Sequence, residues 1–311
     1  MKKLLLILNP RAGLRRANRY LPEIIRLFIE HGYTCETYVT GATGDATEYL
    51  SQCKRSYQMI VCAGGDGTLN ETIAGMLAAG MKCPLGYIPC GTTNDYAASI
   101  GLSGDVLQAA RDIVEGRAQA IDIGSFNGRC FVYTATCGAF AKASYSTPQA
   151  AKNLLGHVAY ILEGVKDLST IRPIHMRITA DDMALEDDFL FCSITNSTSV
   201  GGILKLDAQM VALNDGKFEV TLVRNPTTPA QLSSILVGLT TQNVPNDMIH
   251  FFSASSIHVA CDDPVEWTLD GEREPETDAV EMDNLHSAVR IVVPRAAHAA
   301  PFDYGSEEAE V

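Results

Sequence analysis

Three aspartates in the first 125 residues have the type and surroundings that phosphate chemistry requires. Asp66 lies in Gly64-Gly-Asp-Gly-Thr-Leu-Asn-Glu71, which follows the apolar run 59–63 and leads into a helical pattern. Bare glycine N–H groups and a helix N-terminus together bind an anion such as a nucleotide phosphate. A carboxylate there repels a phosphate unless a divalent cation lies between them or a proton is moved. The segment therefore predicts a phosphate loop that works with a metal ion.

This loop differs from the two commonest nucleotide-binding motifs. No Gly-Lys-Ser/Thr follows, so it is not a Walker A loop, and its spacing is not the GxGxxG of dinucleotide-binding proteins. An ordinary turn between a strand and a helix explains the glycines alone equally well. Asp66 is the residue that favours phosphate binding over that simpler explanation.

Two further aspartates follow later strands of the pattern. Asp95 ends the segment Pro89-Cys-Gly-Thr-Thr-Asn-Asp95, and Asp122 lies near the end of the run 119–123. Because open α/β sheets bind ligands at the carboxyl ends of their strands, we expect the three acids to converge on one crevice. Taken singly, Asp95 and Asp122 are as well explained as turn and cap residues.

The elements that must position these acids alternate between strands and helices. Apolar runs predict strands at 4–8, 33–39, 59–63, 85–88 and 119–123, and amphipathic patterns predict helices at 15–31, 45–52, 68–79 and 105–115. This alternation is typical of an α/β domain with a parallel sheet, here over residues 1–125.

The period of the pattern changes beyond residue 125. Short alternating or β-branched runs at 130–136, 174–179, 189–195 and 217–223 are interrupted by helical patterns at 150–168 and 229–239. They predict a mostly antiparallel β domain over residues 126–284 that serves as a substrate or lid domain. Residues 297–311 read as a disordered acidic tail.

Net charge excludes one class of partner and restricts another. The chain has 24 Lys and Arg against 37 Asp and Glu, a formal charge of −13. Nucleic acid is excluded as an expected partner, because its binding needs a basic face. An anionic membrane is repelled as well, so any membrane contact must be local and apolar.

Cysteines and apolar runs indicate a cytoplasmic location. The nine cysteines form no CxxC pair, and most lie in apolar runs, as expected of reduced core residues. Five apolar residues separate Lys3 from Asn9, fewer than the roughly 7–15 of a signal peptide, and no run approaches the roughly 18 of a membrane span.

The motifs together resemble those of the bacterial diacylglycerol and lipid kinases, which are related to sphingosine and ceramide kinases and, more distantly, to NAD kinases. The resemblance covers nearly the whole chain: Asn9-Pro10, Gly64 to Glu71, Pro89 to Ala97, Asp122-Ile-Gly124, Asn214-Asp-Gly216 and Leu269-Asp-Gly-Glu272. It implies a nucleotide-binding α/β domain followed by a β-sandwich domain, with the segment 285–296 returning to the first domain.

The resemblance also implies a site. ATP would contact Asn9, Thr40, Gly64, Gly65, Asp66, Gly67, Thr68, Leu69, Asn70 and Thr92. Mg²⁺ and its waters would be held by Asp66, Asp95 and Asp122. A second, structural Mg²⁺ would be bound by Asp215 with the backbone carbonyls of Ala212 and Lys217. Glu272 matches the proton acceptor of the family, and Asp270 remains open as the base.

Plain turns are the alternative for the last two motifs. Asp215-Gly216 is the residue pair that a hairpin turn favours, and without the resemblance the turn is the simpler explanation. Asp270-Gly-Glu272 is open to the same explanation.

Four residues depart from the family pattern. Cys90 stands where Leu is common and Tyr96 where Phe is common, and both are close in size. Ile203 replaces a frequent glycine and Asp207 a frequent proline. The second pair falls in the loop that the resemblance associates with the acceptor, so the acceptor is the least constrained part of the assignment.

The expected activity is ATP-dependent transfer of the γ-phosphate to a lipid hydroxyl, with a diacylglycerol-like acceptor. NAD kinase-like phosphorylation of a ribose hydroxyl and a non-catalytic nucleotide or lipid sensor are the alternatives. The lipid would be met by transient contact at the inner face of a membrane, without a transmembrane segment. Whether the chain also forms a homodimer with a second copy of itself is left open by the sequence.

Overall fold

The chain forms two compact units, residues 1–122 with 286–311 and residues 123–285. The computed structural model describes residues 2–92, 94–138, 172–200, 204–205, 211–241, 246–295 and 302. The helix predicted at 150–168 lies outside this part of the chain. So does the predicted tail at 297–311 apart from Phe302, which is buried.

The first unit alternates strands with helices. In chain order it contains β1 (Lys2–Leu8), a 3₁₀ turn (Ala12–Arg15), α1 (Arg16–Glu30), β2 (Tyr33–Val39), α2 (Asp45–Ser51), β3 (Met59–Gly64), α3 (Asp66–Ala78), β4 (Leu85–Pro89), α4 (Asp95–Ser99), α5 (Val106–Glu115) and the start of β5 (Arg117–Phe126). The end of β17 (Thr277–Val293) also belongs to it. Its parallel strands are ordered β17-β4-β3-β1-β2, which confirms the predicted α/β class.

Burial on both faces of this sheet explains its continuous apolar strands. Every residue from Leu4 to Leu8 in β1 is buried, as is every residue of β3. Helix α1 buries Ala17, Ile24 and Phe28, a spacing that places them on one side of the helix. A parallel sheet covered by helices has no solvent-facing side, so its strands do not alternate.

The second unit is built mainly from antiparallel strands. It contains β6 (Arg129–Phe131), β7 (Thr134–Gly138), β8 (Ile174–Ala180), β9 (Met183–Thr195), β10 (Ser199–Val200), β11 (Leu204–Lys205), β12 (Phe218–Arg224), α6 (Pro229–Thr241), β13 (Ile249–Ala254), β14 (Ser256–Val265), β15 (Trp267–Leu269) and β16 (Glu272–Arg273). The strand order is β16-β15-β7-β9-β8-β14-β17, and β12 pairs with β9 and β13. The predicted mostly antiparallel second domain is confirmed.

One face of this antiparallel sheet forms the core of the second unit. Trp267 is fully buried there and meets Phe126 edge to face, with ring centroids 5.4 Å apart. The surrounding core residues include Ala135, Cys137, Cys192, Ile194, Val220 and Leu222. Such edge-to-face pairs add to the stabilisation that burial alone provides.

Three local features differ from the predicted pattern. The run 130–136 is two strands, β6 and β7, because the backbone N–H groups of Val132 and Tyr133 turn to the carboxylate of Asp270. Helix α3 begins at Asp66 rather than at 68, which places Asp66 in its first turn. The short helix α4 was not predicted.

The cysteines of the chain are free thiols, and more than half of them are packed in the interior. All nine cysteines lie in the described part of the chain and are free thiols, and five of them are buried. Burial raises the pKa of Cys62 to about 12 and those of Cys130 and Cys261 to about 11. Of the helices that the structure describes, none is long and apolar enough to cross a membrane.

The hairpin of β5 and β6 allows a direct test of packing in the second unit. Gly124 pairs with Phe131, and a Cβ at Gly124 would lie 2.2 Å from the Phe131 ring. We expect Gly124→Ala to reduce the free energy of unfolding by about 1–3 kcal/mol, because the ring must leave its packed position. Urea unfolding measures the change. Gly104→Ala is the matched control, since nothing lies within 4 Å of a Cβ there; equal effects of the two substitutions would contradict the packing argument.

Candidate active site

The predicted nucleotide-contacting residues follow the carboxyl ends of four parallel strands. Asn9 follows β1, Thr40 follows β2, Gly65 follows β3 and Thr92 lies three residues after β4. The chain leaves β1 toward β2 on one side and leaves β3 toward β4 on the other, as the order β4-β3-β1-β2 requires. Such a reversal opens a crevice between the loops after β1 and β3, where open α/β sheets bind ligands.

Asn9 connects the two loops that border this crevice. Its backbone N–H donates to the Ala63 carbonyl at 3.0 Å, and its side-chain Nδ2 donates to Thr68 Oγ1 at 2.9 Å. Its Oδ1 accepts the Arg11 N–H at 2.9 Å. Thr40, the residue after β2, is also buried. Its N–H donates to the carbonyl of Leu8, the last residue of β1, at 2.9 Å. These contacts fix the loops in place before any ligand binds.

The glycines allow two loop backbones to come into contact. A Cβ on Gly91 would lie 2.8 Å from the Gly65 Cα, and a Cβ on Gly65 would lie 3.2 Å from the Gly91 Cα. Gly64 cannot carry a side chain either, since its Cβ would lie 2.5 Å from that of Thr68. The result is bare backbone on both sides of the start of α3.

The N-terminus of α3 is open in the way that anion binding requires. Gly65 is its N-cap and no side chain caps the helix. The helix begins with Asp66, Gly67, Thr68, Leu69 and Asn70, of which Gly67 is exposed and Thr68 and Leu69 are buried. A helix of this length carries a partial positive charge at that end, which stabilises a bound phosphate. The uncapped N–H groups at the start of α3 therefore fit the phosphates of a nucleotide.

Asp66 is oriented by its neighbours. The Tyr87 hydroxyl donates to its Oδ1 at 3.2 Å, and the Asp95 backbone N–H donates to its Oδ2 at 3.1 Å. Burial and the adjacent Asp66 carboxylate raise the pKa of Tyr87 well above its usual value, so the tyrosine stays a proton donor. Asp66 is thus held half-buried in the first turn of α3.

Asp95 lies next to Asp66 but has a different environment. Its side chain is half-buried, and within the described residues its carboxylate forms no hydrogen bond or ion pair. Burial raises the pKa of this carboxyl. A desolvated carboxylate without donors is destabilising unless a cation compensates it, so Asp66 and Asp95 together suit a hydrated divalent ion.

Asn94 shapes the loop that carries Asp95. It adopts a left-handed backbone conformation, with φ of 52°. Its Oδ1 accepts the Gly91 N–H at 2.8 Å, and its Nδ2 donates to the Gly91 carbonyl at 3.0 Å. Asparagine tolerates this conformation and closes such turns with its side chain. Thr92 is exposed in the same loop, and residue 93 lies outside the described part of the chain.

Asp122 has partners of its own in the first unit. It is fully buried, its Oδ1 accepts the Ser287 N–H at 2.7 Å, and the same oxygen lies 3.1 Å from His286 Nδ1. Ser287 has a left-handed φ of 52° within β17, and Asp122 supports that conformation. Among the described residues, no three Asp, Glu, His or Cys side chains come close enough to bind one metal ion directly. The expected convergence of Asp66, Asp95 and Asp122 around a metal ion and its waters stays a prediction.

Glu71, at the end of the motif that begins at Gly64, has a structural role that its sequence position does not predict. Its carboxylate accepts the N–H of Gly44 at 2.7 Å and that of Ala46 at 3.4 Å. Its carbonyl accepts the Thr47 hydroxyl at 2.9 Å. Glu71 thereby attaches the start of α2 to α3. The signal in the sequence is weak, because a glutamate in a helix is common.

Asp270 is engaged as a structural acceptor. It is buried, and its carboxylate accepts three backbone N–H groups, from Val132 at 2.6 Å, Tyr133 at 2.9 Å and Thr134 at 3.1 Å. Its own N–H donates to the Thr134 carbonyl. A carboxylate whose lone pairs are used in this way is poorly suited to accept a substrate proton. The geometry does not favour the alternative in which Asp270 is the base.

Glu272 has the opposite environment. It is exposed at the start of β16, directly after Gly271, whose φ of 86° makes the turn from Asp270. Its backbone pairs with Leu269, so the position of the residue is fixed by the hairpin of β15 and β16. Of the two acids in this motif, Glu272 is the accessible one.

Asp215 lies in the turn that its sequence favours. Its Oδ1 accepts the Lys217 N–H at 3.0 Å, and Gly216 has a left-handed φ of 78°. Asp215 and Lys217 are exposed, and Ala212 is half-buried. A carboxylate and backbone carbonyls are oxygen ligands of the kind that Mg²⁺ takes. The contact of Asp215 with Lys217 is that of a turn, and the structural Mg²⁺ site stays a prediction.

Comparison with known proteins identifies relatives of both parts of the chain. The family model of the diacylglycerol kinase catalytic domain matches residues 3–126, and that of the YegS C-terminal NAD kinase beta sandwich-like domain matches residues 134–296. The second match confirms the predicted β-sandwich class.

Whole-length relatives agree with the domain matches. A diacylglycerol kinase of Bacillus subtilis (strain 168) is 31% identical over 297 residues, covering 95% of this chain and 97% of the relative. One of Staphylococcus saprophyticus is 32% identical over 275 residues, covering 87% and 89%. A crystal structure of a diacylglycerol kinase from Bacillus anthracis (strain Sterne) has a TM-score of 0.73 at 24% identity, covering 95% and 98%, and shows the shared fold.

The raised pKa of Asp95 predicts a pH-dependent gain in stability on mutation. When folding raises the pKa of a carboxyl, the protonated carboxyl stabilises the folded state. This stabilisation is fully present below the usual pKa of 3.8 and is lost as the pH rises through the raised pKa of the folded protein. The charged form is therefore destabilising near neutral pH. We expect Asp95→Asn to raise the thermal midpoint Tm of the ligand-free protein at neutral pH, and the gain to vanish below the usual pKa.

Midpoints measured across this pH range in the presence of a chelator test the Asp95 prediction. Asp278→Asn, at an exposed position, is the control and should leave the midpoint unchanged. A lower midpoint for Asp95→Asn at neutral pH would mean that the carboxylate has a structural partner and does not await a cation.

The three N–H donors on Asp270 predict a structural cost for its replacement. We expect Asp270→Asn to lower the free energy of unfolding by about 1–3 kcal/mol, because the amide nitrogen faces N–H groups that need an acceptor. Urea unfolding measures the loss, with the exposed Asp263→Asn as control. Unchanged stability together with lost turnover would instead make Asp270 a catalytic residue.

Proposed function

The chain belongs to the diacylglycerol kinase family, and on that premise we propose that it transfers the γ-phosphate of ATP to the hydroxyl of a diacylglycerol-like lipid. The observation that carries the proposal is the open N-terminus of α3 between bare glycine backbones, with Asp66 and Asp95 beside it. That arrangement suits a nucleotide triphosphate accompanied by a divalent cation.

Nucleotide binding falls to the first unit. The N–H groups of the first turn of α3, from Gly65 to Thr68, would hold the phosphates, because the Leu69 N–H already donates to the Gly65 carbonyl. Leu69 and Asn70 would line the nucleotide beside them, and Thr92 would contact it from the second glycine loop. Asn9 and Thr40 line the neighbouring strand ends and keep these loops fixed. Because phosphoryl transfer needs little covalent help, positioning of this kind supplies much of the catalysis.

Mg²⁺ would be held with water by Asp66 and Asp95. Bound there, it supplies positive charge that neutralises the transferring phosphoryl group. Tyr87 and the Asp95 N–H keep the Asp66 carboxylate oriented for this role. Asp122 is better assigned to supporting Ser287 in β17 than to binding the ion.

Glu272 is the proposed proton acceptor for the attacking lipid hydroxyl. It is exposed, its backbone is fixed by pairing with Leu269, and its neighbour Asp270 is occupied by backbone donors. An exposed carboxylate can accept the proton of the lipid hydroxyl as that hydroxyl attacks phosphorus. Asp270 then acts as a positioning residue, since it fixes the turn from which Glu272 extends.

The acceptor would be met by transient contact with a membrane surface. The formal charge of −13 offers no general attraction to anionic lipids. Contact through apolar side chains depends on the surface mole fraction of the lipid and is little affected by salt.

Phosphorylation of NAD is the second candidate. It is supported by the β-sandwich match, whose description names NAD kinase. The whole-length relatives, by contrast, are diacylglycerol kinases that align over nearly the entire chain. We therefore place the lipid first.

An assay of radiolabelled ATP with a panel of lipids in mixed micelles, and with NAD, tests the function. We expect a phosphorylated neutral lipid, turnover that rises with the surface mole fraction of lipid, and only modest loss at physiological salt. Asp66→Ala should abolish transfer while the chain remains folded, with a lower Tm because the Tyr87 hydroxyl and the Asp95 N–H lose their acceptor. Efficient phosphorylation of NAD without any lipid product would overturn the assignment.

Glu272 can be tested separately from nucleotide binding in the same assay. Glu272→Gln should lower kcat about 10²–10⁴-fold and leave the KM for ATP unchanged, because it removes a proton acceptor and little else. Glu276→Gln, also exposed, is the matched control. A kcat close to that of the parent would exclude Glu272 as the base.

A further inference from the structure

Two arginines of the second unit lie near the proposed base. Arg273 follows Glu272 directly in β16, and Arg129 of β6 reaches Glu274, two residues beyond the base. A cation within about 4–6 Å of a carboxylate stabilises its ionised form and weakens its hold on a proton. A general base that paired with either arginine would therefore accept a proton poorly.

Both arginines are paired with other acids instead. Arg129 Nη1 lies 2.7 Å from Glu274 Oε1 and donates to Glu274 Oε2 at 2.9 Å. Arg273 Nη2 forms an ion pair with Glu266. Within the part of the chain that the structure describes, the Glu272 carboxylate forms no hydrogen bond or ion pair. Two of the three glutamates thus bind an arginine, and the third remains accessible to a substrate.

The two acids that bind arginines are also the more buried ones. The Glu274 side chain is 7% exposed and that of Glu266 is 15% exposed, whereas Glu272 is exposed at the surface. Burial raises the pKa of Glu274, the charge of Arg129 opposes that rise, and the nearby charge of Glu272 adds to it. A buried carboxylate that loses its cation destabilises the fold, so Arg129 is held at Glu274 in preference to the exposed Glu272.

Backbone hydrogen bonds fix the two ends of this short segment. Glu272 pairs with Leu269 in the hairpin of β15 and β16, and the Glu274 N–H donates to the Trp267 carbonyl at 2.9 Å. Trp267 is fully buried in the core of the second unit. The base and the acid that binds Arg129 are therefore attached to the same rigid element.

We propose that two positioning residues, Glu274 and Glu266, each hold an arginine away from Glu272, so that the proposed base stays unpaired. The inference deepens the proposed function and rests on it. Glu272 needs free lone pairs to take the proton of the lipid hydroxyl as that hydroxyl attacks phosphorus. A guanidinium bound to Glu272 would fill those lone pairs with its own N–H groups.

Removal of one arginine acceptor tests the inference in the lipid kinase assay. We expect Glu274→Leu to lower kcat about tenfold, because the released Arg129 pairs with Glu272, and to leave the KM for ATP within about twofold. Adding Arg129→Met removes the released cation, and the double variant should return to within about twofold of the parent kcat. Apolar replacement of a buried ion pair is often neutral for stability, so the double variant should fold.

Two single variants distinguish this role from a structural one. Arg129→Met alone should keep the parent kcat while its Tm falls, since Glu272 stays unpaired and Glu274 loses its cation. Glu276→Leu, at an exposed position, is the matched control and should change neither value. If Arg129→Met lowered kcat as much as Glu274→Leu, or if the double variant failed to recover, the ion pair would only hold the hairpin together and the proposal would be overturned.

A crystal structure of the Glu274→Leu variant tests the pairing independently of activity. We expect the Arg129 guanidinium to lie within hydrogen-bonding distance of the Glu272 carboxylate. An Arg129 side chain that points into solvent would overturn the proposal. If the parent phosphorylates no lipid, the proposed function fails, and this structure still decides whether Glu274 keeps Arg129 away from Glu272.

Discussion

The close approach of two glycine backbones is the constraint on which the first unit's site depends. Gly65 and Gly91 come from loops after neighbouring parallel strands, and any side chain on either would separate them. Their contact leaves the N-terminus of α3 open and brings the Asp95 N–H within hydrogen-bonding distance of Asp66. Parallel pairing of β3 with β4 supplies the two loops at the same edge of the sheet. The other residues proposed to bind the nucleotide are arranged around this contact.

Several acids in the recognisable motifs bind backbone rather than ligand. Glu71 accepts N–H groups at the start of α2, Asp122 supports a left-handed residue in β17, and Asp270 accepts three N–H groups before and within β7. Each satisfies donors that a strand end or a helix start leaves without partners. Asp95 differs, because its half-buried carboxylate forms no such bond with the part of the chain that the structure describes. This contrast separates acids that maintain the fold from those available for chemistry.

The fold was predictable from sequence because its signals are local. Continuous apolar runs predicted the buried parallel strands. Alternation of apolar and polar residues predicted the antiparallel strands, as in β8, where Met176 and Ile178 are buried and Arg177 is exposed. The phosphate loop was equally visible, since glycines and Asp66 are adjacent in the chain. The role of Asp270 was not, because its partners lie more than 130 positions away.

Burial of the thiols determines how this chain responds to oxidants. Cys137 and Cys192 are directly paired across β7 and β9, a spacing within reach of a cross-strand disulfide. Both are fully buried, and burial raises the pKa of Cys137 well above its usual value. Thiolate is the species that attacks peroxides and disulfides, so its scarcity makes Cys137 slow to oxidise. The packing that stabilises the β domain thereby also protects this thiol from forming a disulfide with its cross-strand neighbour.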